Sequence, residues 1–196
     1  MLQQETLEQL RAIWAQGEAH DASIDQAQAR WRMLSPDAGM FLYQMARAAG
    51  ARRIVEIGTA SGYSTLWLAL AARENQGKVT SLDSASDFHQ LAASRLQQLG
   101  LSHLVRLEQV EAGEWLTSLE GGPVDFLFLD ADRSHYPTLW PQICRVLRPG
   151  GLLVMDNALS HADECAPFVR EVLATEGYLA ETYPIGKGQF VILKDE

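Results

Sequence analysis

Several features that would indicate a membrane, secreted or disulfide-stabilised protein are missing from this sequence. No apolar run approaches the roughly 20 residues that a membrane-spanning helix needs. The first residues, Met1–Leu10, lack the basic start and apolar stretch of a signal peptide. Cysteine is scarce, since only Cys144 and Cys165 occur, without metal-ligand spacing, and a reducing compartment fits them. We therefore expect a soluble, cytoplasmic protein with no membrane partner.

Positive charge is also scarce. The 196 residues contain 16 Lys and Arg against 25 Asp and Glu, a formal net charge of -9, which disfavours an extended surface that follows nucleic-acid phosphates. The exception is residues 30–53, where five arginines accompany a single acid, Asp37. We expect either a solvated helix face or a local patch for an anionic substrate. The arginines are Arg30, Arg32, Arg47, Arg52 and Arg53.

The sequence has no internal repeat, low-complexity tract or linker, so we expect one domain over residues 1–196. Apolar residues at three- and four-residue steps predict two helices over residues 2–34, which would lie over the active site of a core at residues 35–196. These apolar residues are Leu7, Leu10, Trp14, Ile24, Ala27, Trp31 and Leu34. A third helix is predicted from Ser35, as N-cap, and Pro36 to Gly50.

Strands and helices alternate after Gly50. The pattern predicts strands at 53–57, 78–83, 105–110, 124–130 and 152–156. It predicts helices at 63–73, 85–99, 136–147 and 163–177, and a short helix that ends at residue 119. Two further strands, at 178–183 and 189–194, are joined by Pro184–Gly188, which is short enough for an antiparallel hairpin. We therefore expect an α/β fold with a doubly wound sheet, mostly parallel, with one antiparallel edge strand.

Acidic side chains stand at the carboxyl ends of four predicted strands, where ligands bind in sheets of this kind. They are Glu56, Asp83, Asp130 and Asp156. Asp130, Asp156 and Asn157 offer hard oxygen ligands for Mg²⁺, Ca²⁺ or Mn²⁺, with water and substrate completing about six positions. The alternative is that both aspartates cap the following turns and Asn157 occupies a left-handed conformation.

A glycine-rich turn, Gly58–Gly62, follows the first of these strands and opens a helix. Such a turn can bind a dinucleotide pyrophosphate, but Glu56 would place a carboxylate where the pyrophosphate must lie. A cationic or neutral ligand fits better, and S-adenosylmethionine has a sulfonium, an amino group and ribose hydroxyls. Asp83 can accept hydrogen bonds from both ribose hydroxyls, unless it only caps the next helix. Ser64 is either a ligand contact or a core-facing serine.

These ligands together predict methyl transfer. A methyl group moves from sulfonium to a nucleophile by in-line displacement, so the protein must align and activate the two partners. A cation that binds two adjacent substrate oxygens lowers the pKa of one hydroxyl and makes an oxyanion available at neutral pH. The acceptor expected from this chemistry is a vicinal diol on a small molecule.

Four motifs together resemble the caffeoyl-CoA/catechol O-methyltransferase family, over about Leu34 to Lys194. They are Glu56–Ser64, Leu129–Tyr136, Asp156–Asn157 and Pro184–Gly188. The resemblance implies a Rossmann-like methyltransferase fold, a catechol-like or hydroxycinnamoyl acceptor and a homodimer. It also implies metal ligation by Asp130, Asp156 and Asn157, and cofactor contacts at Glu56, Gly58, Ser64, Asp83, Ala112 and Asp130.

The sequence departs from this family at the catalytic base. The family commonly has a lysine where this chain has Arg133, and arginine cannot give up a proton at working pH. We expect Asp130 and Arg133 to be catalytic, with the cation generating the oxyanion and Arg133 stabilising it. Alternatively, His135 or His161 takes the proton.

The segment Ala158–Glu164 is short, so we expect the N-terminal helices, with Trp31 and Met33, to shape the acceptor site, with a contribution from a partner subunit. Three other functions stay open. The acceptor could be a hydroxylated uridine in tRNA, bound by the arginines of residues 30–53. The protein could bind S-adenosylmethionine without chemistry, or it could be a nicotinamide-dependent oxidoreductase, which Glu56 disfavours.

Overall fold

The computed structural model describes residues 2–26, 29–85, 87–119 and 122–195. In these ranges seven strands form one sheet in the order β3-β2-β1-β4-β5-β7-β6. The strands are β1 (Arg53–Ile57), β2 (Lys78–Asp83), β3 (Val105–Gln109), β4 (Val124–Leu129), β5 (Leu147–Met155), β6 (Tyr178–Tyr183) and β7 (Gln189–Lys194). Neighbours among β1–β5 are parallel, and β7 is antiparallel to β5 and β6. The predicted mostly parallel sheet with a reversal at one edge is confirmed, and the reversed strand β7 lies one place in from the outermost strand, β6.

Helices cover both faces of the sheet. They are α1 (Gln4–Ser23), α2 (Pro36–Ala48), α3 (Tyr63–Asn75), α4 (His89–Gln98), α5 (Ala112–Ser118), α6 (Tyr136–Val146) and α7 (Ala162–Leu173). Alternate residues of β4 point to opposite faces: Phe126 and Phe128 pack with α1–α4, whereas Leu127 and Leu129 pack with α5–α7. Of the helices in the described ranges, none is long and apolar enough to cross a bilayer.

The prediction of two helices over residues 2–34 is wrong for the second helix. After α1 ends at Ser23, the described residues up to Ser35 form no α-helix, and Ala27 lies outside the described residues. The Asp21 carboxylate accepts hydrogen bonds from the backbone N–H groups of Trp31 (2.7 Å) and Arg32 (2.9 Å), which folds this segment back against α1. Arg32 has a φ of 45°, in the left-handed region, which an α-helix cannot contain.

Two predicted helix ends and one predicted strand start also differ from the observed ones. Helix α4 begins at His89, not residue 85, because the Asp83 carboxylate accepts a hydrogen bond from the Ala85 N–H (2.9 Å) and forms a turn first. Strand β5 begins at Leu147, not at the predicted residue 152, and its register with β4 shifts between Val124 and Phe126. Helix α7 ends at Leu173, four positions before the predicted end.

Candidate active site

Glu56 in β1 is fully buried, with an exposed fraction of 0%. Its carboxylate accepts hydrogen bonds from the hydroxyls of Ser64, Thr65 and Ser81, each at 2.5 Å. Burial raises the pKa of Glu56 to about 7, although the three hydroxyls oppose the rise. Glu56 and Ser64 are therefore hydrogen-bonded to each other beneath the glycine turn. Neither residue lines either of the two cavities described below.

Because of this placement, Glu56 is not the carboxylate that would repel a bound phosphate. The Glu56 carboxylate faces three hydroxyls of the protein, so it does not meet a ligand directly in this arrangement. Direct cofactor contact by Glu56 and Ser64 stays a prediction, and the carboxylate that a ligand at this edge would meet is that of Asp83. The exclusion of a pyrophosphate consequently depends on Asp83 and Asp130.

Gly58 allows the turn to approach the end of β4. It has a φ of 105°, and a Cβ at this position would lie 2.0 Å from the backbone oxygen of Asp130. The backbone N–H of Asp130 in turn donates to the Ile57 oxygen (2.9 Å). Only glycine fits there. The close approach places Asp130, which follows β4, next to the glycine turn.

A cavity of about 300 Å³ lies beyond the carboxyl ends of β1, β2 and β4. Four predicted cofactor residues line it, namely Gly58, Asp83, Ala112 and Asp130, and Leu82, Val110 and Leu139 give it apolar walls. The backbone N–H groups of Ala60 (2.8 Å) and Ala85 (2.9 Å) each donate to one oxygen of Asp83. A carboxylate oxygen has further lone pairs, so the oriented Asp83 can also accept hydrogen bonds from a ligand. An apolar slot beside an oriented carboxylate suits a nucleoside.

The structure brings Asp130, Asp156 and Asn157 into contact. The Asn157 Nδ2 donates to Asp130 Oδ1 (2.9 Å) and to Asp156 Oδ2 (3.1 Å), while Gln189 donates to the other Asp156 oxygen. Burial, and then repulsion from Asp156, raises the pKa of Asp130 to about 7, and burial raises that of Asp156. Asn157 is also left-handed, with a φ of 68°, as the alternative sequence interpretation expects, and metal ligation by Asn157 stays a prediction.

A second cavity, of about 900 Å³, adjoins the first along Asp130, Ala131 and Asp132, which line both. Helix α1 contributes Trp14 and Glu18 to its wall, and Met33 lines it from the following segment. Trp31 packs the segment that carries Met33 against α1, because its ring stacks on that of His20 with 4.0 Å between the ring centroids. The cationic side chains of the wall are Arg30, Arg32, Arg133 and Lys187.

The residues predicted to stabilise the oxyanion or to take the proton occupy different places. The Arg133 Nε donates to Glu164 Oε2 at 2.8 Å, and this ion pair raises the pKa of Arg133 against the opposing effect of burial. His135 lines the smaller cavity, and His161 lines the larger one, with its Nδ1 2.9 Å from the Ser160 hydroxyl.

Sequence reasoning missed Lys187. It lies in the loop Pro184–Gly188 between β6 and β7 and lines the larger cavity. The motif itself was recognisable, but its side chain reaches the site only because β7 lies beside β5.

The five arginines of residues 30–53 do not form one patch, so the interpretation of all five as a single site for an anionic substrate is wrong. Arg30 and Arg32 line the larger cavity at the carboxyl ends of the strands. Arg52 and Arg53 lie at the opposite end of β1, where their backbone N–H groups donate to Asp125 (2.8 and 2.7 Å). A strand of five residues is about 17 Å long, which separates the two groups.

Comparison with known proteins places the chain in a family. The profile of the O-methyltransferase family matches residues 3–172, and the chain belongs to this family. It is 36% identical over 138 residues to a catechol O-methyltransferase of Mycobacterium tuberculosis, a match that covers 70% of this chain and 62% of the relative. It is 31% identical over 144 residues to caffeoyl-CoA O-methyltransferase 2 of Zea mays, covering 70% of this chain and 54% of the relative. The chain thus spans between half and two thirds of the length of these curated relatives.

A solved structure with a bound cofactor agrees over the whole chain. An O-methyltransferase from Streptomyces achromogenes involved in tomaymycin synthesis, crystallised in complex with S-adenosylmethionine, is 26% identical, with a TM-score of 0.80. The similarity covers 100% of this chain and 92% of that one. The predicted resemblance to the caffeoyl-CoA/catechol family is confirmed, together with the Rossmann-like fold.

Proposed function

We propose that this protein transfers a methyl group from S-adenosylmethionine to one oxygen of a vicinal diol, on a catechol-like or hydroxycinnamoyl small molecule, with the help of a divalent cation. One observation carries the proposal: a nucleoside-sized cavity and a larger cavity meet along Asp130–Asp132. A donor in the first and an acceptor in the second would lie side by side, as in-line transfer requires. The names of the relatives support the class of acceptor.

The residues of the smaller cavity divide the work of binding the cofactor. Asp83 would accept hydrogen bonds from the ribose hydroxyls, and the apolar walls at Leu82, Val110 and Leu139 would enclose the adenine. The negative charges of Asp83 and Asp130 favour a sulfonium over a phosphate. The hydroxyls of Ser64 and Thr65, bound to Glu56, fix the start of α3 directly after the glycine turn.

Asp130, Asp156 and Asn157 fit a hard divalent cation. Burial raises the pKa of both carboxyl groups, and Asp156 raises that of Asp130 further, so a cation placed between them would stabilise both carboxylates. Their oxygen ligands suit Mg²⁺, Ca²⁺ or Mn²⁺. Ligation by Asn157 requires that its amide oxygen turn toward the ion, since its nitrogen faces both carboxylates here. In the described part of the chain no three His, Cys, Asp or Glu side chains could hold a metal, so water and the diol must supply further ligands. A bound cation would lower the pKa of a diol hydroxyl.

An assay of methyl transfer with and without chelator tests this function. A panel of catechols and hydroxycinnamoyl derivatives is incubated with labelled S-adenosylmethionine, and Asp156→Asn is compared with the exposed control Asp163→Asn. We expect a monomethyl ether from the parent and the control, and a loss of at least about a hundredfold in turnover from Asp156→Asn and from chelation, with cofactor affinity kept. Undiminished turnover after exhaustive chelation would remove the cation from the proposal. Cofactor binding without any methylated product would instead indicate a non-catalytic binding protein.

The separation of the five arginines of residues 30–53 leaves little support for tRNA as the acceptor. Only Arg30 and Arg32 of the five reach the larger cavity. Salt-insensitive turnover of a small catechol, without methylation of bulk tRNA, is the result we expect.

A homodimer is a further part of the proposal. Leu179 and Tyr183 lie on the same face of the outermost strand β6, and they are 61% and 43% exposed. Light scattering of the parent protein and of Leu179→Arg tests this surface. A parent that is monomeric at micromolar concentration would contradict it.

A further inference from the structure

We propose that Lys187 is a further catalytic residue, whose ammonium group stabilises the oxyanion of the acceptor during methyl transfer. The inference rests on the proposed function, because it requires a diol in the larger cavity. It gives this chain a cation at the reacting oxygen that does not depend on Arg133.

The backbone holds Lys187 against the turn that carries Asn157. The N–H groups of Leu159 and Ser160 both donate to the Lys187 oxygen at 3.0 Å, and the Ala158 N–H donates to the Gly188 oxygen at 3.0 Å. Gly188 has a φ of 96°, and a Cβ there would lie 2.5 Å from the Leu159 nitrogen. The approach therefore depends on glycine, and it fixes Lys187 on the same wall of the cavity as Asn157.

Lys187 differs from the three arginines of this wall, because each of them already has a partner. Arg133 pairs with Glu164 at 2.8 Å, Arg30 donates to the Ile24 oxygen at 3.0 Å, and Arg32 is engaged as well. Within the residues that the structure describes, the Lys187 ammonium has no hydrogen-bond or ion-pair partner. A primary ammonium offers three donors, which a substrate oxyanion can accept.

The surroundings require such a cation. Asp130 and Asp156 are buried carboxylates, and an oxyanion placed beside them is destabilised by repulsion. Burial raises the pKa of both, and the positive charge of Lys187 opposes this rise more strongly than that of Arg133 does. The charge of Lys187 therefore acts on Asp130, which lines both cavities.

The chemical step balances without any further reactant. The acceptor hydroxyl releases its proton to solvent water, and the resulting oxyanion is held by the ammonium of Lys187. An oxygen lone pair forms the bond to the methyl carbon as the carbon–sulfur bond breaks, and that electron pair stays on sulfur. The products are the methyl ether and neutral S-adenosylhomocysteine, and Lys187 keeps its proton throughout.

A spectrophotometric titration of bound 4-nitrocatechol tests this role apart from turnover. The absorbance of the phenolate is followed against pH with saturating S-adenosylhomocysteine and EDTA, for the parent, Lys187→Met, Lys187→Arg and the control Lys78→Met. The Lys78 ammonium donates to the His103 oxygen (2.7 Å) at the amino end of β2, far from the site. Thermal unfolding and affinity for S-adenosylhomocysteine show whether each variant is folded.

We expect Lys187→Met to raise the apparent pKa of the bound probe by about one unit and to lower kcat near neutral pH about tenfold. Lys187→Arg should keep most of the effect, and Lys78→Met should match the parent. An unchanged probe pKa and kcat in Lys187→Met would overturn the inference and show a solvated loop lysine only. A parent that binds S-adenosylhomocysteine but methylates no diol when divalent cation is supplied in place of EDTA would refute the proposed function, and the role of Lys187 with it.

Discussion

The guanidinium carbon of Arg95 lies 4.6 Å from the centroid of the Trp31 ring. Arg95 is 4% exposed, and its Nη1 donates to the Ser61 backbone oxygen at 2.7 Å. Burial lowers the pKa of Arg95 to about 10. Because Ser61 belongs to the glycine turn and Trp31 to the segment beside the larger cavity, Arg95 connects the turn with this segment.

Replacement of Trp31 by leucine should loosen the acceptor site while the cofactor site stays intact. The change removes the cation–π contact and the stack on His20, which together are worth about 1–2 kcal/mol. We expect the KM for a catechol to rise about tenfold, with the dissociation constant for S-adenosylhomocysteine within about twofold of the parent. Steady-state kinetics and calorimetry check this. Equal losses at both sites would show that the segment also supports the cofactor.

Replacement of Asp83 by asparagine should weaken cofactor binding. Asparagine lacks the charge and one of the two acceptor oxygens, and hydrogen bonds to a charged group are worth about 1.5–3 kcal/mol. We expect the dissociation constant for S-adenosylhomocysteine to rise about tenfold to a hundredfold. The exposed neighbour Asp87, changed to asparagine, is the matched control. Equal affinity in the two variants would remove Asp83 from the cofactor site.

Alanine substitutions at two glycines with positive φ, Gly58 and Gly100, distinguish the cost of backbone strain from that of steric contact. Alanine at Gly58 would meet the Asp130 backbone at 2.0 Å, whereas alanine at Gly100, with a φ of 67°, has no atom within 4 Å. Gly100→Ala should cost about 1 kcal/mol of unfolding free energy. Gly58→Ala should cost more, and should also reduce affinity for S-adenosylhomocysteine at least about tenfold. Denaturant titration and calorimetry check both, and equal effects in the two variants would contradict the close approach.

The buried Glu56 makes stability depend on pH. Its pKa is raised in the folded protein, from 4.5 to about 7, so the folded state binds a proton more tightly than the unfolded state. The contribution is fully present below pH 4.5 and is lost as pH rises to about 7, a change of about 3 kcal/mol at most. Glu56→Gln should flatten the fall in unfolding free energy across this window, whereas the exposed control Glu176→Gln should not. A fall that is unchanged in Glu56→Gln would place its origin elsewhere, Asp130 being the first candidate.

The strands and the acidic residues at their ends could be predicted because buried parallel strands appear as short apolar runs. Asp130, Asp156 and Asn157 end two such runs, and the sheet brings them into contact. The same reasoning found Gly58 and Asp83 at the cofactor cavity.

The missed features depend on contacts between distant residues. Ile24, Trp31 and Leu34 have helical spacing, but hydrogen bonds to Asp21 hold the segment in an irregular conformation. The sequence shows Glu56 at a strand end but not the hydroxyl of Ser81, on the next strand, that turns it inward. Lys187 reaches the site through the position of β7, which the linear order of the strands does not reveal.

The central claim is that a sulfonium donor and a hard cation are adjacent at Asp130. The most direct measurement is the ¹³C NMR resonance of S-adenosylmethionine labelled in its methyl group and bound to the protein, as paramagnetic Mn²⁺ is added. The account predicts that Mn²⁺ broadens the bound methyl resonance beyond detection, and that Asp156→Asn preserves the resonance at the same Mn²⁺ concentration. A methyl resonance of the parent protein that keeps its width at saturating Mn²⁺ would contradict the claim.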